Sequence, residues 1–289
     1  MLKFKFILLF LILIGNITSN FGAEYPQRII SLAPHITEMV FKLGAGNRLI
    51  GRTDFCNYPA RAEEIESVGG YLNIDFEKLV SLKPDLIFQF PNPENKQKLE
   101  TLGFRVEDIP NETIDDILNS ILKIGKIIGL EHRARQVCDG INDTLKMVQN
   151  RGGGLSGRIT ALLLVGRERQ NLQGLYAAGK STYLGEIWKL CGGTVAFDEV
   201  NARYFAFSKE DLIKKKIDVI LEFHRGWNLN QQDLLNEKNV WNVFSNLWAV
   251  KKGNIFIFNN DFFLIPGPRI TQIALRFSQI IKQVNEEFQ

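Results

Sequence analysis

Two glutamates, Glu77 and Glu210, stand at the same place in a pattern that the chain contains twice. The copies lie 133 residues apart with every offset preserved: the first reads Glu77, Leu79, Lys83, Asp85, Leu86, Ile87, Phe90, and the second reads Glu210, Leu212, Lys216, Asp218, Val219, Ile220, Phe223. Carboxylates form short, charge-assisted hydrogen bonds with arginine and lysine. One carboxylate in each half is therefore suited to contact a partner that has two-fold symmetry. The alternative is that both are ordinary solvated first-turn glutamates, favoured there by the helix dipole.

The pattern also predicts the elements that hold these glutamates. In each copy, apolar residues at helical spacing lead through a Lys-x-Asp turn into a short apolar strand. A repeat of this length indicates two lobes of similar construction. The predicted molecule is thus pseudo-two-fold symmetric, with one acidic side chain contributed by each lobe.

Strands and helices alternate along the rest of the chain, as they do in βα units. Strands are predicted at 28–32, 49–51, 85–89, 105–109, 159–165, 218–222 and 254–258, and helices from a cap near Ile36 or Thr37 and at 76–82, 94–102, 113–129, 131–149, 182–190 and 269–288. This order predicts an α/β fold with a mainly parallel sheet in each of two lobes, at 24–129 and 151–289. One long helix at 130–150 connects them, followed by the glycine run of residues 151–154, and a helical connector predicts limited hinge motion.

The first 23 residues have the layout of a secretory signal peptide. Lys3 and Lys5 form a basic start, residues 6–14 are an unbroken apolar run, and a polar stretch with small residues ends at Ala23. Ala23 suits a cleavage site, whereas Phe21 suits it poorly, so the cleavage position stays open. The apolar run is too short to span a membrane as a helix. We therefore expect an exported, soluble mature chain.

Cysteine usage and charge exclude several classes of protein. The first cysteine, Cys56, lies far beyond the apolar run, so a lipoprotein anchor is not expected and a periplasmic location is. Cys56, Cys138 and Cys191 can form one disulfide at most, show no metal-site spacing and are expected to be mostly buried. Removing Lys3 and Lys5 lowers the net charge from +3 to +1. A nearly neutral chain has no electrostatic basis for binding nucleic acid or a membrane surface.

Several motifs resemble those of the periplasmic binding proteins that serve ABC importers of vitamin B12 and iron chelates. They are Arg28-Ile29-Ile30-Ser31-Leu32-Ala33-Pro34-His35-Ile36-Thr37-Glu38, Leu43-Gly44-Ala45-Gly46, Thr53-Asp54-Phe55-Cys56-Asn57-Tyr58-Pro59, Val68-Gly69-Gly70-Tyr71, Lys83-Pro84-Asp85, Tyr176-Ala177-Ala178-Gly179-Lys180 and Cys191-Gly192-Gly193. The resemblance covers essentially the whole mature chain and is specific to the family rather than to one ligand. It implies two α/β lobes joined by a long helix, a ligand cleft between them, and delivery to a two-fold-symmetric importer in the inner membrane. It also implies that Glu77 and Glu210 meet arginines of that importer.

The cleft residues follow from where strands end, since ligands of open α/β sheets bind beyond the carboxyl ends of the strands. The candidates are His35, Phe55, Tyr71, Tyr176, Tyr204, Trp227, Asp261 and Phe262. The resemblance implies ligand contacts for the aromatic residues at positions 55, 71, 176 and 204 and a polar cleft role for Asp261. A cleft arginine of the vitamin B12 branch is replaced here by Ile265. For each aromatic residue the alternative is packing in the core.

An aromatic cleft with few charges favours a large, flat, partly apolar ligand, because aromatic rings offer wide contact area at low entropic cost. Together with the family resemblance, this predicts a monomeric carrier, not an enzyme, for a metal chelate such as a corrinoid or related tetrapyrrole. A ferric-siderophore or haem carrier is the alternative within this class, and an exported enzyme or chelatase on the same fold is the alternative outside it. No resident cofactor or metal site is predicted. Whether His35 or His224 ligates the metal of a bound chelate stays open.

One motif points elsewhere. Gly174-x-x-x-x-Gly179-Lys180-Ser181 satisfies the formula of a phosphate-binding P-loop. In a P-loop the glycine-rich segment directly follows its strand, whereas eight residues (166–173) separate this one from the strand predicted to end at Val165. We therefore interpret it as part of the binding-protein pattern. Hydrolase and zinc-protease motifs are absent from the sequence.

Overall fold

The structure of the protein is a computed structural model that describes residues 25–152 and 159–286. The predicted signal peptide (1–23) and residues 153–154 of the glycine run lie outside the described residues. Within the described part of the chain, no helix combines the length and the apolar character needed to cross a membrane.

The N-terminal lobe is built on a four-stranded sheet in which all strands are parallel. Its strands are β1 (Ile29–Ser31), β2 (Leu49–Arg52), β3 (Leu86–Gln89) and β4 (Val106–Asp108), in the order β2-β1-β3-β4. The helices are α1 (Pro34–Lys42), α2 (Phe76–Ser81), α3 (Pro93–Thr101) and α4 (Ile114–Ile127), with short 3₁₀ turns at Gly46–Arg48 and Ala60–Glu64. The two central strands, β1 and β3, are buried at every residue and mostly apolar, as expected for parallel strands covered on both faces.

The C-terminal lobe has a six-stranded sheet of mixed direction. Its strands are β5 (Ile159–Gly166), β6 (Tyr176–Ala178), β7 (Gly193–Val195), β8 (Tyr204–Ala206), β9 (Val219–Phe223) and β10 (Ile255–Phe258), in the order β10-β9-β5-β6-β8 with β7 beside β5. Strands β5, β7, β9 and β10 are parallel, whereas β6 is antiparallel to both of its neighbours.

Helices surround this second sheet and follow the long connector. The connector is α5 (Glu131–Gly152), and the later helices are α6 (Tyr183–Leu190), α7 (Lys209–Ile213), α8 (Gln231–Asn239), α9 (Trp248–Lys252) and α10 (Ile270–Glu286), with 3₁₀ turns at Val240–Phe244 and Asp261–Leu264. The predicted fold class, two α/β lobes joined by one long helix, is confirmed.

The connecting helix is packed along its length rather than spanning solvent. Its buried residues recur at helical spacing, at Ala134, Val137, Ile141, Leu145 and Val148. This stripe belongs to one apolar cluster that extends from α1 and α4 of the first lobe to α6 and α10 of the second. Because both lobes share that cluster, moving them far apart would expose it to water, which agrees with the expectation of limited hinge motion.

The internal repeat corresponds to two equivalent helix–strand units, α2–β3 and α7–β9. Leu79 and Leu212 are fully buried in their respective lobes. A carboxylate oxygen of Asp85 accepts the backbone N–H groups of Gln27 and Arg28, and Asp218 accepts that of Thr160, so each aspartate holds the start of the neighbouring strand. The repeated aspartates are therefore structural, whereas the repeated glutamates are not used for packing.

Several features differ from the sequence prediction, which did not include helices α8 and α9. Helix α1 begins at Pro34 rather than near Ile36 or Thr37, because proline suits the first helical position, where its missing N–H costs nothing. Strands β6, β7 and β8 were not predicted, since each has only three residues and none alternates clearly. The second sheet is consequently less parallel than predicted.

The three cysteines are free and buried. Burial raises the pKa of the Cys138 thiol to about 11 and that of Cys191 to about 12, and it also raises the pKa of Cys56. Thiols with such pKa values hold almost no thiolate at neutral pH and are unreactive.

Candidate ligand cleft and docking surface

A pocket lies between the lobes where strands of both sheets end. In the N-terminal lobe it is lined by residues that follow the carboxyl ends of all four strands: Leu32–His35 after β1, Thr53 and Phe55 after β2, Phe90 after β3, and Asn111 after β4. The C-terminal lobe contributes Arg225 after β9 and Leu264–Pro266 after β10. Tyr71, in the loop before α2, completes the wall, and the cavity volume is about 240 Å³. Ligands of open α/β sheets bind at this position, beyond the carboxyl ends of the strands.

His35 is buried in the floor of the pocket with both ring nitrogens engaged. Nε2 lies 3.2 Å from the carbonyl oxygen of Ile109, and Nδ1 lies 3.1 Å from the side-chain nitrogen of Asn111. A carbonyl can only accept, so Nε2 carries the proton and Nδ1 accepts from the amide. The ring therefore offers no free lone pair to a metal in this arrangement. It fixes the loop after β4 against α1.

Burial lowers the pKa of His35 to about 4, with the Ile109 hydrogen bond opposing the shift in part. Because the unfolded chain binds this proton near pH 6.5, the free energy of unfolding should fall as the pH drops from about 6.5 to about 4, by up to ~3 kcal/mol from this group. Urea unfolding at pH 7.0, 5.5 and 4.5 measures the effect. In His35→Gln, whose amide does not titrate, the slope of stability against pH in this window should be smaller; an identical slope in both proteins would contradict the assignment.

Aromatic side chains form the outer wall of the N-terminal side. The ring of Tyr71 packs edge-on against Phe90 at 6.5 Å between centroids, and Phe90 packs the same way against His35 at 6.4 Å. The Tyr71 hydroxyl lies 3.4 Å from the side-chain nitrogen of Asn92. Phe55 is 52% exposed at the cleft mouth, although a phenylalanine packed in the core would be covered. Of the eight sequence-predicted ligand residues, the structure places His35, Phe55 and Tyr71 in this pocket.

The C-terminal lobe reaches across the cleft through Arg225. Its guanidinium donates to the backbone oxygen of Phe55 at 2.9 Å and lies 4.8 Å from the centroid of the Phe55 ring. Among the described residues that line the pocket, Arg225 is the one with a charged side chain. Both of its cross-cleft contacts are to a single exposed residue of the opposite lobe.

A buried ionic cluster stands directly behind Arg225. The guanidinium of Arg167 pairs with Glu222 at 2.9 Å and with Glu237 at 2.8 Å, and these three side chains are 0–1% exposed. Nε2 of His224 lies 2.8 Å from the same Glu222 carboxylate. Trp241 donates its indole N–H to Glu222 as well. The cluster ties β9 and the residue preceding Arg225 to the loop after β5 and to α8.

Trp227 stacks on this cluster rather than lining the pocket. Its ring lies parallel to that of His224 at 3.6 Å, and the Arg167 guanidinium is 5.2 Å from its centroid. Trp227 and His224 together form a rigid base for the loop that carries Arg225. His224, with a ring nitrogen on Glu222, is a structural member of that base.

The remaining predicted residues lie outside the pocket lining. Tyr176 and Tyr204 sit on the paired strands β6 and β8; Tyr176 is 43% exposed, and the pKa of the Tyr204 hydroxyl is raised by burial and by the nearby Glu112 carboxylate. Because Glu112 belongs to the N-terminal lobe, Tyr204 lies near the boundary between the lobes.

Asp261 and Phe262 stand beside a second contact between the lobes. Arg269 forms a two-pronged ion pair with the buried Glu38 of α1, at 2.5 and 2.8 Å. Asp261 lies 3.7 Å from the same guanidinium, and the Phe262 ring centroid is 5.5 Å from it. The pair joins the two lobes near the base of the cleft, so Asp261 supports a lobe contact in this arrangement.

Thr53, Asn111, Leu264 and Pro266 are among the lining residues that were not predicted from the sequence. Asn111 had a usable signal, since it directly follows the strand predicted at 105–109 and polar residues after strand ends are candidates for sites. The others carry no distinguishing chemistry, and only the chain path brings them to the cleft.

The docking candidates Glu77 and Glu210 occupy equivalent and exposed positions. Each is the second residue of a short helix, after an N-cap, Asp75 or Ser208, that accepts the N–H of the third helical residue. An equivalent aliphatic residue follows three positions later in each copy, Val80 at 45% exposure and Ile213 at 69%. Three residues apart on a helix means the same face.

The first turns of helices α2 and α7, which carry Glu77 and Glu210, lie at equivalent edges of their two sheets. Helix α2 connects the parallel strands β2 and β3, and α7 connects β8 and β9, which also run in one direction. A crossover helix between parallel strands runs back against them. The first turns of α2 and α7 therefore lie at the carboxyl edges of their sheets, which is the edge where the cleft opens.

The described residues hold no metal-ligand cluster, and the P-loop-like segment does not have the shape of a phosphate-binding loop. No group of three or more histidine, cysteine or acidic side chains is close enough to hold a metal ion there. Strand β6 lies inside the P-loop-like segment, and Lys180 donates to the backbone oxygen of Asp198. A segment interrupted by a strand does not form the continuous turn that cradles phosphates.

Two α/β lobes on one helix, with a pocket at the strand ends of both, define the class of two-lobed ligand-binding proteins. The chain belongs to the periplasmic binding protein family, whose profile matches residues 29–261.

The chain is similar in sequence to vitamin B12-binding proteins and in structure to solved binding proteins. The chain is 27% identical over 247 residues to a vitamin B12-binding protein of Vibrio cholerae, covering 84% of each chain, and 24% identical over 268 residues to that of Vibrio parahaemolyticus, covering 91% and 92%. The solved periplasmic vitamin B12-binding protein BtuF of Vibrio cholerae superposes with a TM-score of 0.76 at 25% identity, covering 90% of this chain and 98% of that one. IsdE of Staphylococcus aureus, solved with haem, shares the fold with a TM-score of 0.74 at 17% identity, covering 90% and 99%.

Proposed function

We propose that this chain is exported to the periplasm, captures a corrinoid or related tetrapyrrole metal chelate between its lobes, and delivers it to an ABC importer. The observation that carries the proposal is the pocket at the strand ends of both lobes, in a chain whose relatives are vitamin B12-binding proteins. The basic and apolar start of residues 1–23 supports export.

The chemistry of the pocket favours a chelate that arrives with its metal already coordinated. The lining is mainly apolar and aromatic, with one cation, and the one histidine has both nitrogens occupied. Such a wall supplies contact area to a flat macrocycle but few ligands to a bare ion. Highly anionic ferric siderophores are less well matched, since a single guanidinium would balance several negative charges.

The pocket volume implies some movement of the lobes. About 240 Å³ is below the roughly 300–1,000 Å³ of ordinary small-molecule sites. A tetrapyrrole would thus displace the Arg225–Phe55 contact and widen the cleft. The shared apolar cluster of α5 and the Arg269–Glu38 pair allow a small widening rather than a large hinge motion.

Delivery is supported by the two repeated glutamates. Both are exposed, both stand on the first turn of equivalent helices, and each has an exposed aliphatic neighbour on the same face. Neither is required by the packing of its lobe. A matched pair of acidic, partly apolar projections fits an importer with two-fold symmetry that presents arginine at two equivalent positions.

A haem carrier is the second candidate, favoured by Arg225, because a guanidinium in an apolar cleft would pair with a propionate carboxylate. An exported enzyme or chelatase on the same fold differs from both carriers in turnover. A carrier returns its ligand unchanged after saturable one-to-one binding.

Titration of the purified mature chain with cobalamin, haem and ferric siderophores is the test of ligand class. We expect saturable tryptophan quenching and a raised melting temperature with cobalamin. Replacing Phe55 or Tyr71 by alanine should weaken that binding by about ten-fold each, since each removes an aromatic contact worth roughly 1–2 kcal/mol. Phe197→Ala, in a buried cluster outside the pocket lining, serves as the comparison for loss of stability alone. Failure of every chelate to bind, or release of a changed ligand, would contradict the proposal.

A further inference from the structure

Arg225 makes contacts that a ligand could take over. Its guanidinium holds a backbone oxygen and the face of Phe55, and the structure shows no other side-chain hydrogen bond from it among the described residues. A guanidinium has five N–H donors in a planar fork that matches carboxylate and phosphate oxygens. Most of the donor capacity of this arginine is therefore uncommitted.

The stem of the same residue is fixed. The preceding residue, His224, is held at three points. Its backbone N–H donates to the carbonyl oxygen of Phe258 at 2.9 Å, its ring nitrogen contacts Glu222, and the Trp227 ring stacks on the imidazole. The buried Arg167–Glu222–Glu237 cluster lies beneath. A cation with a rigid stem and a free tip costs little entropy to use in binding.

The apolar residues around the Arg225 guanidinium favour its pairing with an anionic group of a ligand. Arg225 is the one charged residue of the lining, and its lining neighbours in the C-terminal lobe are Leu264, Ile265 and Pro266. In an apolar, partly desolvated cleft, a charge pair is stronger than in water, and a bidentate pair also fixes ligand orientation. Ile265 supplies no charge, so orientation of a polar group depends on Arg225.

We propose that Arg225 forms an anion-binding subsite of the cleft that recognises a carboxylate or phosphate oxygen on the edge of the chelate, replacing its contact with Phe55 as the ligand enters. This inference rests on the proposed function and adds the chemical group that the ligand must carry. A propionate carboxylate of a porphyrin and the phosphodiester of a complete corrinoid are the two sources of that group.

The test compares pairs of ligands in which one member carries the anion and the other lacks it. Dissociation constants are measured by tryptophan quenching for cobalamin against cobinamide, which lacks the phosphodiester, and for haem against haem dimethyl ester, which lacks free carboxylates. The proteins are wild type, Arg225→Met, Arg225→Lys and Arg276→Met. Arg276 is the matched control, an exposed arginine over Phe258 and outside this cleft.

We expect Arg225→Met to weaken binding of the anionic ligand by about ten- to hundred-fold, the usual effect of losing a hydrogen bond to a charged group. It should leave binding of the matching ligand that lacks the anion within about two-fold of wild type. Arg225→Lys should recover part of the loss, because it keeps the charge but not the fork. The pair of ligands that shows the difference identifies the source of the anion, phosphate or carboxylate.

Equal weakening of both members of each ligand pair, or no weakening at all, would overturn the subsite while leaving the carrier function standing. Absence of binding to wild type by all four ligands would instead count against the proposed function. Retained affinity in Arg276→Met shows that the effect belongs to Arg225 and not to loss of surface charge in general.

Discussion

Replacing Glu77 and Glu210 together by glutamine is expected to abolish uptake of cobalamin into cells that depend on this chain for it, while the dissociation constant of the purified protein for cobalamin stays unchanged. Both side chains are exposed and lie outside the pocket lining. Glutamine keeps their shape and removes only the charge, so the fold should be unaffected. The effect should therefore appear at the importer alone.

The size of this effect follows from the strength of the lost contacts. A hydrogen bond to a charged group contributes roughly 1.5–3 kcal/mol, so two of them account for a fall in importer affinity of more than about hundred-fold. Each single variant should fall by about ten-fold, and the two should be similar in size because the positions are equivalent in the repeat. Affinity is measured by binding of the loaded protein to the importer in nanodiscs, and function by uptake.

Glu94→Gln is the matched control for this prediction. Glu94 is also an exposed second residue of a helix, α3, behind an asparagine cap, but it has no counterpart in the repeat. Uptake should be normal in this variant. Replacing Val80 and Ile213 by serine should give a smaller loss, since exposed apolar area beside the carboxylates is removed while their charge remains. Loss of ligand affinity in the glutamine double variant, or unchanged uptake, would contradict the assignment of Glu77 and Glu210 to importer docking.

Replacing Arg167 by methionine is expected to lower the free energy of unfolding by about 3–5 kcal/mol, the usual cost of removing one partner of a buried ion pair. Glu222 and Glu237 would both be left buried and without their cation. Such a change corresponds to a fall in melting temperature of roughly 6–20 °C. Urea unfolding followed by circular dichroism at pH 7 measures it.

A second variant separates unpaired charge from lost packing. When Glu222 and Glu237 are changed to glutamine in the Arg167→Met background, the buried charges disappear and part of the stability should return. Arg276→Met, at an exposed position, should change the unfolding free energy by no more than about 0.5 kcal/mol. A loss of less than 1 kcal/mol in Arg167→Met would show that the cluster does not stabilise the C-terminal lobe. Because the cluster holds the stem of Arg225, the same variant should also weaken binding of anionic ligands.

Most of the fold could be predicted because its signals are local. Each strand of four or more residues coincides with a run of mainly apolar residues, and each long helix has apolar residues at helical spacing. The Lys-x-Asp turn marks the junction between helix and strand in both lobes. Strands β6 and β8 were not predicted because a strand of three residues is too short to show a clear alternation of apolar and polar residues. Their place in the sheet is set by pairing with β5 and with each other rather than by their own residues.

The candidate site likewise contains residues that could be predicted from the sequence and contacts that could not. His35, Phe55 and Tyr71 could be placed at the pocket from the sequence, because they follow strand ends or motifs that fix the chain path. The partners of Arg225, Arg167 and Arg269 could not, since Phe55 is 170 residues from Arg225, Glu237 is 70 from Arg167, and Glu38 is 231 from Arg269. No local pattern records which distant group a guanidinium will meet.

The sequence by itself determined the class of fold, the doubled helix–strand unit and its two outward carboxylates, because propensity, periodicity and repetition act over a few residues. Only the tertiary structure decided which side chains share the cleft, that the imidazole of His35 is already satisfied, and that the one cation of the pocket reaches across from the opposite lobe. Those outcomes depend on how two lobes pack against one helix, and packing brings together groups that lie far apart in the chain.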